Sequence, residues 1–282
     1  MKQFLLLLGA NQYLRERALA GARKASGAEI FIADKEDLFN KNRYFDGCLF
    51  CDEKDSLALI EAVKAKNLEV LGAAPLNDWT LASANKLNVH FSLPSLSKET
   101  IENARNKYKM KLKFEEFKLP NAKFFLLQDE SELKLAIAKI GFPLIIKPYF
   151  SEMAHLLPSH RFKDNALNDL AHKALGIDRG VAHVDIKIKD GNFYLIEMGA
   201  RTGGYGIMDQ IENAFDFNSY HLYIASYLGA NLEHYEVPEP KRTANIAFLK
   251  AKIGIIKKIT YQNNFPKNSP ALKSRQALAI KA

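Results

Sequence analysis

Two carboxylates, an arginine and a glycine pair stand close together in GVAHVDIKIKDGNFYLIEMGARTGG, residues 180–204. Asp185 and Glu197 each interrupt a stretch that otherwise alternates as a strand does, and Asp190-Gly191 between them is a turn signal. Two carboxylates on one partly covered sheet face repel unless a cation sits between them. A hard divalent ion held by a few carboxylates plus phosphate oxygens is the usual arrangement for Mg2+. Arg201, beside Gly203-Gly204, suits a grip on a carboxylate or phosphate where backbone must come close. Lys147 ends the apolar run Pro143-Leu144-Ile145-Ile146 and would present its ammonium at the edge of a buried strand, where it can meet phosphate as a point charge. The plainer alternatives are a solvated amphipathic hairpin whose acids pair with lysines, a strand-end lysine and an ordinary loop arginine.

Register decides whether the two acids can act together. A two-residue Asp190-Gly191 loop pairs Ile188 with Phe193, and counting back sets Asp185 opposite Ile196, with Glu197 on the other face. A three-residue Lys189-Asp190-Gly191 turn puts Asp185 and Glu197 on the same face. The apolar pattern favours the second: Val184, Ile186 and Ile188 then share a core face with Tyr194, Ile196 and Met198. His183, Asp185, Lys187 and Glu197 share the other face with Phe193 and Leu195.

The elements that must position these residues begin with strand patterns over 4–8, 29–33, 47–51 and 69–71. Helical patterns lie between and after them, over 14–26, 56–66 and 76–88. Repeated strand-helix units predict a parallel sheet with helices on both faces. Gly9 follows the first strand and Asp34 lies about one βαβ unit on. GANQYL nevertheless lacks the further glycines a pyrophosphate needs, so this Rossmann-like sheet is not expected to bind a dinucleotide. A long helix is predicted from an N-cap at Ser97 to about Lys118, stopped by Leu119-Pro120. Beyond it come a strand over 123–127, a helix opened by the capping-box pattern Asp129-x-x-Glu132, a strand over 143–147 and a helix over 165–175. After the hairpin follow two helices between 206 and 228 and strands over 244–249 and 255–260.

Composition narrows the function classes. The chain has 282 residues, 48% of them hydrophobic, enough for two domains. Its longest uninterrupted apolar run, 4–8, is far below the roughly 18 residues of a membrane span, and the first residues make a poor signal peptide. A cytoplasmic protein with no membrane partner is expected. The net charge of +8 is spread over helices; Lys107, Lys109, Lys111 and Lys113 alternate along a helix and read as a solvated face, so no nucleic-acid partner is expected. Cys48 and Cys51 have C-x-x-C spacing, but no second pair completes a four-thiolate site, and GCLFC reads as a buried strand.

Taken together, NKYKMKLKFEEFKLP, then GFPLIIKP, then the hairpin with IEMGARTGG, in that order behind a Rossmann-like sheet, resemble the ATP-grasp superfamily, in the branch of carbamoyl-phosphate synthase large subunits and carboxylate-amine ligases. The resemblance implies an α/β fold: a Rossmann-like pre-ATP-grasp domain over 1–95 and an α+β ATP-grasp domain over 96–282. It implies that Lys107 and Lys147 contact ATP phosphates, that Asp185 and Glu197 are ligands of Mg2+ (or Mn2+), and that Arg201 helps bind substrate or an acyl-phosphate intermediate. The implied reaction activates a small-molecule carboxylate with MgATP and lets an amine displace phosphate, the protein acting as a homodimer; the alternative is a nucleotide- or metabolite-binding protein of this fold without turnover. Two departures accompany the resemblance. Gly199 stands where many members carry Asn, and Lys147 to Asp185 is too short for the usual glycine-loop lid, which places a lid deletion near 148–152.

Overall fold

Leu-rich strands without alternation need cover on both faces, and the first four strands obtain it. The computed structural model describes residues 2–10, 16–35, 45–147, 165–204, 206–232, 235–245, 258–261 and 278–281. Strands β1 (Gln3–Leu8), β2 (Glu29–Asp34), β3 (Gly47–Phe50) and β4 (Glu69–Pro75) form one parallel sheet in the order β3-β2-β1-β4. Helices α1 (Glu16–Ser26), α2 (Ser56–Lys64) and α3 (Asp78–His90) connect or follow these strands. The order reverses between β1 and β4, the position at whose carboxyl edge ligands gather in open α/β sheets. Asn77 caps α3 there by accepting from the Thr80 amide, leaving Asp78 at the first helical position on that edge.

The Gly9 amide, which a pyrophosphate would need, instead donates to the buried Glu53 carboxylate at 2.7 Å. Glu53's acidity is weakened by burial, with the Gly9 bond opposing the shift.

The long helix predicted after Ser97 is two. Ser97 caps α4 (Lys98–Arg105) as expected, but Asn106 adopts an extended conformation and its side chain accepts from the Tyr108 and Lys109 amides. An Asx side chain competes with the helix for its own backbone, so α4 stops and α5 (Lys107–Glu116) starts afresh. Lys107 thus becomes a first-turn residue. Asp129 caps a short 3-10 turn that leads into α6 (Leu133–Ile140); Glu132 accepts from the Gln128 amide, one residue before the cap, so the expected capping box is not closed. The strands predicted over 123–127 and 143–147 are not strands. Ile145 and Ile146 are exposed, because no described strand runs beside them and apolarity alone cannot supply a ladder. The predicted lid deletion near 148–152 lies outside the described residues, as does most of the strand predicted over 244–249.

Helix α7 (Asn165–Leu175) leads to the hairpin of β5 (His183–Lys189) and β6 (Asn192–Gly199). One core packs β1, β2, β3 and α2 against Ala84 and Leu87 of α3. A second gathers Met110 and Phe114 of α5, Ala171, Ala174 and Leu175 of α7, Leu195 and Met198 of β6, and Leu81 of α3. Helix α3 belongs to both and so ties the parallel sheet to the hairpin. Buried asparagines on it replace missing backbone partners: Asn88 pairs with both polar groups of Ala73, and Asn85 bridges the Leu96 amide, the Leu81 carbonyl and the Tyr227 hydroxyl.

By its internal contacts the chain forms two units. Met1–Gly203 with Tyr220–Tyr235 holds everything described above and most of α9 (Ser219–Tyr227). Gly204–Ser219 with Glu236–Ala282 holds α8 (Ile207–Phe215) and the antiparallel pair β7 (Lys258–Tyr261) and β8 (Leu278–Lys281).

Candidate active site

The hairpin reconciles the two registers in a way neither alone anticipates. Its turn is the two-residue loop and not the three-residue Lys189-Asp190-Gly191 turn expected from the apolar pattern, with Asp190 at φ 52° and Gly191 at φ 76°. Two consecutive positive φ values are the requirement of the tight hairpin turn that Asp-Gly supplies. Ile188 pairs with Phe193 and Ile186 with Leu195, but the register then shifts, and Asp185 stands opposite Glu197. Ile196 is the extra residue of a β-bulge. One inserted residue restores the face that an even loop would have lost. The apolar face therefore consists of Val184, Ile186 and Ile188 with Phe193, Leu195 and Met198, correcting the expectation that Tyr194 and Ile196 would line it.

On the opposite face the acids meet cations from three segments. Lys107 Nζ donates to Glu197 Oε1 in an ion pair whose side chains are only 16% and 18% exposed. Along β5, His183 Nε2 lies 3.3 Å from Asp185 Oδ1. Burial, reinforced by the nearby Glu197, pushes the Asp185 carboxyl above its ordinary 3.8, against the opposing pulls of His183, Arg201 and Lys147. Burial and the adjacent Arg201 hold the His183 imidazole below its ordinary 6.5.

Arg201 is held from the first turn of α3. Its Nε and Nη2 both donate to Asp78 Oδ2, at 2.8 and 2.7 Å, and its Nη1 donates to the Thr202 carbonyl and reaches His183 Nδ1 at 3.2 Å. The Thr202 hydroxyl donates to the Leu76 carbonyl, a second tie between the same two segments. A side chain at Gly199 would start 3.6 Å from Asp78 Oδ1 and 3.7 Å from the Arg201 guanidinium, and anything longer than a methyl would crowd that pair. Neither Asp78 nor His183 was among the residues assigned from sequence. His183 carried the signal of sharing Asp185's face; Asp78 carried none, being over a hundred residues away.

The lysine series on α5 divides by helical spacing. Lys107 and Lys111, one turn apart, both face β6. Lys109 pairs with Glu102, and Lys113 with Glu99 and Glu116. The series is thus no uniform solvated face, which corrects the sequence expectation for Lys111. Burial pushes the Lys111 ammonium down to about 8, Glu197 opposing and Lys147 adding to the shift. Lys147 follows the exposed 145–146 segment, and its charge reaches both Lys111 and Asp185.

Lys107 and Arg201 therefore join Asp185 and Glu197 on one side of the hairpin, with Lys147 near enough for its charge to act on Asp185 and Lys111. Cys48 and Cys51 lie elsewhere, both as free thiols, Cys48 buried in β3. Burial, then Cys48 and the neighbouring acids, push the Cys51 thiol up to about 11, so neither cysteine has the environment of a reactive thiol.

No protein-family profile and no curated protein matches the sequence. Solved structures do resemble the chain. Phosphoribosylglycinamide synthetase from Anaerococcus prevotii aligns over 95% of this chain and 86% of its own, with 19% identity and a TM-score of 0.68. L-amino acid ligase from Bacillus licheniformis aligns over 92% and 83%, with 19% identity and a TM-score of 0.64. N5-carboxyaminoimidazole synthetase from Staphylococcus aureus, solved with ADP, aligns over 82% and 79%, with 12% identity and a TM-score of 0.63. The chain shares the fold of these solved enzymes.

Proposed function

We propose that this protein is an ATP-dependent ligase that activates a small-molecule carboxylate as an acyl phosphate and joins it to an amine. The observation that carries the proposal is the pairing of Asp185 with Glu197 across a bulged hairpin, with Lys107 held against Glu197, within a fold shared with ligases.

The acidic pair fits a divalent ion. Among the described residues no cluster of three or more His, Cys, Asp or Glu could form an all-protein cage. Mg2+ rarely uses one, since it keeps waters and takes one or two carboxylates with substrate phosphates. Asp185, its ionisation opposed by burial and by Glu197, is paired with a His183 whose protonation is itself disfavoured. Mg2+ held by Asp185 and Glu197, or Mn2+ in its place, would neutralise phosphate charge and steady the transferring group.

The side chains do the rest. Lys107 lies against Glu197 and, with phosphate present, would exchange or share that partner for a phosphate oxygen. Lys147 would supply a second point charge, and two ammonium groups on one phosphate chain stabilise charge that grows on the leaving oxygens. Arg201 would anchor the substrate carboxylate or the acyl phosphate, trading or sharing Asp78 as it did so. Asp78 fixes the guanidinium beforehand, which lowers the ordering cost of substrate binding.

A screen of amino acids and sugar acids, each with candidate amines, for Mg2+-dependent release of ADP and phosphate tests the proposal. A productive pair is expected, with turnover lost on Glu197→Gln. Turnover unaffected by Glu197→Gln would remove the metal assignment. Tight binding of a non-hydrolysable ATP analogue with no turnover for any pair would favour a binding protein instead.

A further inference from the structure

Helix α5 lies along β6 and makes three polar contacts with it. Lys107 meets Glu197, the Met110 sulfur accepts from the Met198 amide at 3.2 Å, and Lys111 Nζ donates to the Leu195 carbonyl at 2.9 Å. The last contact falls on the residue that precedes the bulge. Leu195 turns its amide and carbonyl away from β5: the amide donates to the Pro120 carbonyl at 2.8 Å, and the carbonyl receives Lys111. A third strand would have satisfied both groups; here Pro120–Asn121 supplies one bond and a lysine side chain the other.

We propose that Lys111 is a positioning residue: its ammonium, standing in for a strand amide at the Leu195 carbonyl, holds the bulge at Ile196 that brings Glu197 opposite Asp185. Three observations converge on this. A β-bulge leaves backbone groups without ladder partners, and a buried carbonyl without a donor is costly. Without the bulge, the two-residue turn would send Glu197 to the core face, by the same register counting that separates it from Asp185. Finally, a charged lysine is kept where burial works against it; a methionine of similar length would fill the space without that cost, so the donor itself is what the site requires. Lys111 and Lys107 lie one helical turn apart, close to the rise of two strand residues, so one helix face secures both the bulge and the acid it presents.

The importance of the bulge for metal binding rests on the ligase reading; its dependence on Lys111 does not. Two arms keep them apart. In the first, Asp185→Cys and Glu197→Cys are combined in the full chain. Directly opposed strand residues lie within disulfide reach, so mild oxidation should cross-link them quickly, read by peptide mapping. Adding Lys111→Met should make the cross-link slow or absent, with circular dichroism unchanged; Lys111→Gln, which keeps a donor, should restore it in part. Lys111→Ala is the second variant should the methionine form fold poorly. Cross-linking at the parent rate in either variant that folds overturns the proposal.

In the second arm, Mn2+ binding is followed by electron paramagnetic resonance. Lys111→Met is expected to weaken it by about 10- to 100-fold, the usual cost of losing a group that orients a ligand, while Lys109→Met leaves it unchanged. Mn2+ binding that is lost in Glu197→Gln but kept in Lys111→Met overturns this proposal and leaves the ligase reading standing. A wild-type protein that binds no Mn2+ sinks the metal assignment, and the cross-link still decides the role of Lys111.

Discussion

The Lys107–Glu197 pair offers a quantitative test of the site that needs no substrate. Replacing Lys107 with Met keeps the packing of the stem but leaves Glu197 facing Asp185 with its closest cation gone. Breaking a fully buried pair costs 3–5 kcal/mol and an exposed one about 0–1. With the two side chains 16% and 18% exposed, Lys107→Met should cost roughly 3 kcal/mol, placed between those limits and nearer the buried one. For a unit of this size that is a fall in Tm of about 6–12 °C. Removing both charges, in Lys107→Met with Glu197→Gln, should recover most of the loss, with a coupling energy of about 2 kcal/mol or more. Differential scanning fluorimetry and urea titration of the four proteins measure it. Mg2+ supplies a second readout: it should raise the Tm of Lys107→Met more than that of wild type, because it substitutes for the absent ammonium, and should do little for Glu197→Gln. A Lys107→Met protein within about 1 kcal/mol of wild type, or a coupling below about 0.5 kcal/mol, refutes the idea that this is a tightly held pair awaiting a stronger cation.

Two further outcomes follow from the same geometry. The Asp185 carboxyl is raised by burial, so its favourable contribution to stability is full below its ordinary 3.8 and is lost as pH rises through its folded value; Asp185→Asn should therefore melt higher than wild type near pH 7 without metal, with the gain vanishing toward pH 3, and should lose Mg2+ stabilisation. A melting series across that pH range in the presence and absence of Mg2+ is the check, and a variant that melts lower at pH 7 contradicts the cause assigned to the shift. Asp78→Asn removes the charged partner of Arg201 and should cost about 1–3 kcal/mol; if an active substrate pair is found, it should also raise KM for the carboxylate more than it lowers kcat, whereas an unchanged KM argues against Arg201 as the carboxylate anchor.

Local chemistry was legible wherever a short stretch of chain decides its own conformation. Ser97, Asp129 and the Asp190-Gly191 turn all act within a few residues, and each stands where its type requires. The parallel sheet was legible because long apolar runs separated by helical patterns have few other solutions. Asn106 was readable in principle, since an Asx residue inside a helical pattern is a potential new start, but the surrounding lysines and apolar residues carried the helical pattern across it. The strand predicted over 143–147 failed for a different reason. Apolarity records a preference for burial, whereas a strand also needs a hydrogen-bonding neighbour, which the residues themselves do not encode.

What the sequence by itself determined is the stock of reactive groups and the spacing that makes a carboxylate pair conceivable: Asp185 and Glu197 on two strands, and lysines one helical turn apart. Only the tertiary structure decided how they meet. The bulge at Ile196 selects the face, Lys111 and Pro120 satisfy the backbone beside it, and Asp78 reaches from the start of α3 to hold Arg201. Each of these is a contact between residues far apart in the chain, satisfied because buried polar groups must find partners wherever the fold brings them. Periodicity reads preferences along one segment, and those partners lie on others.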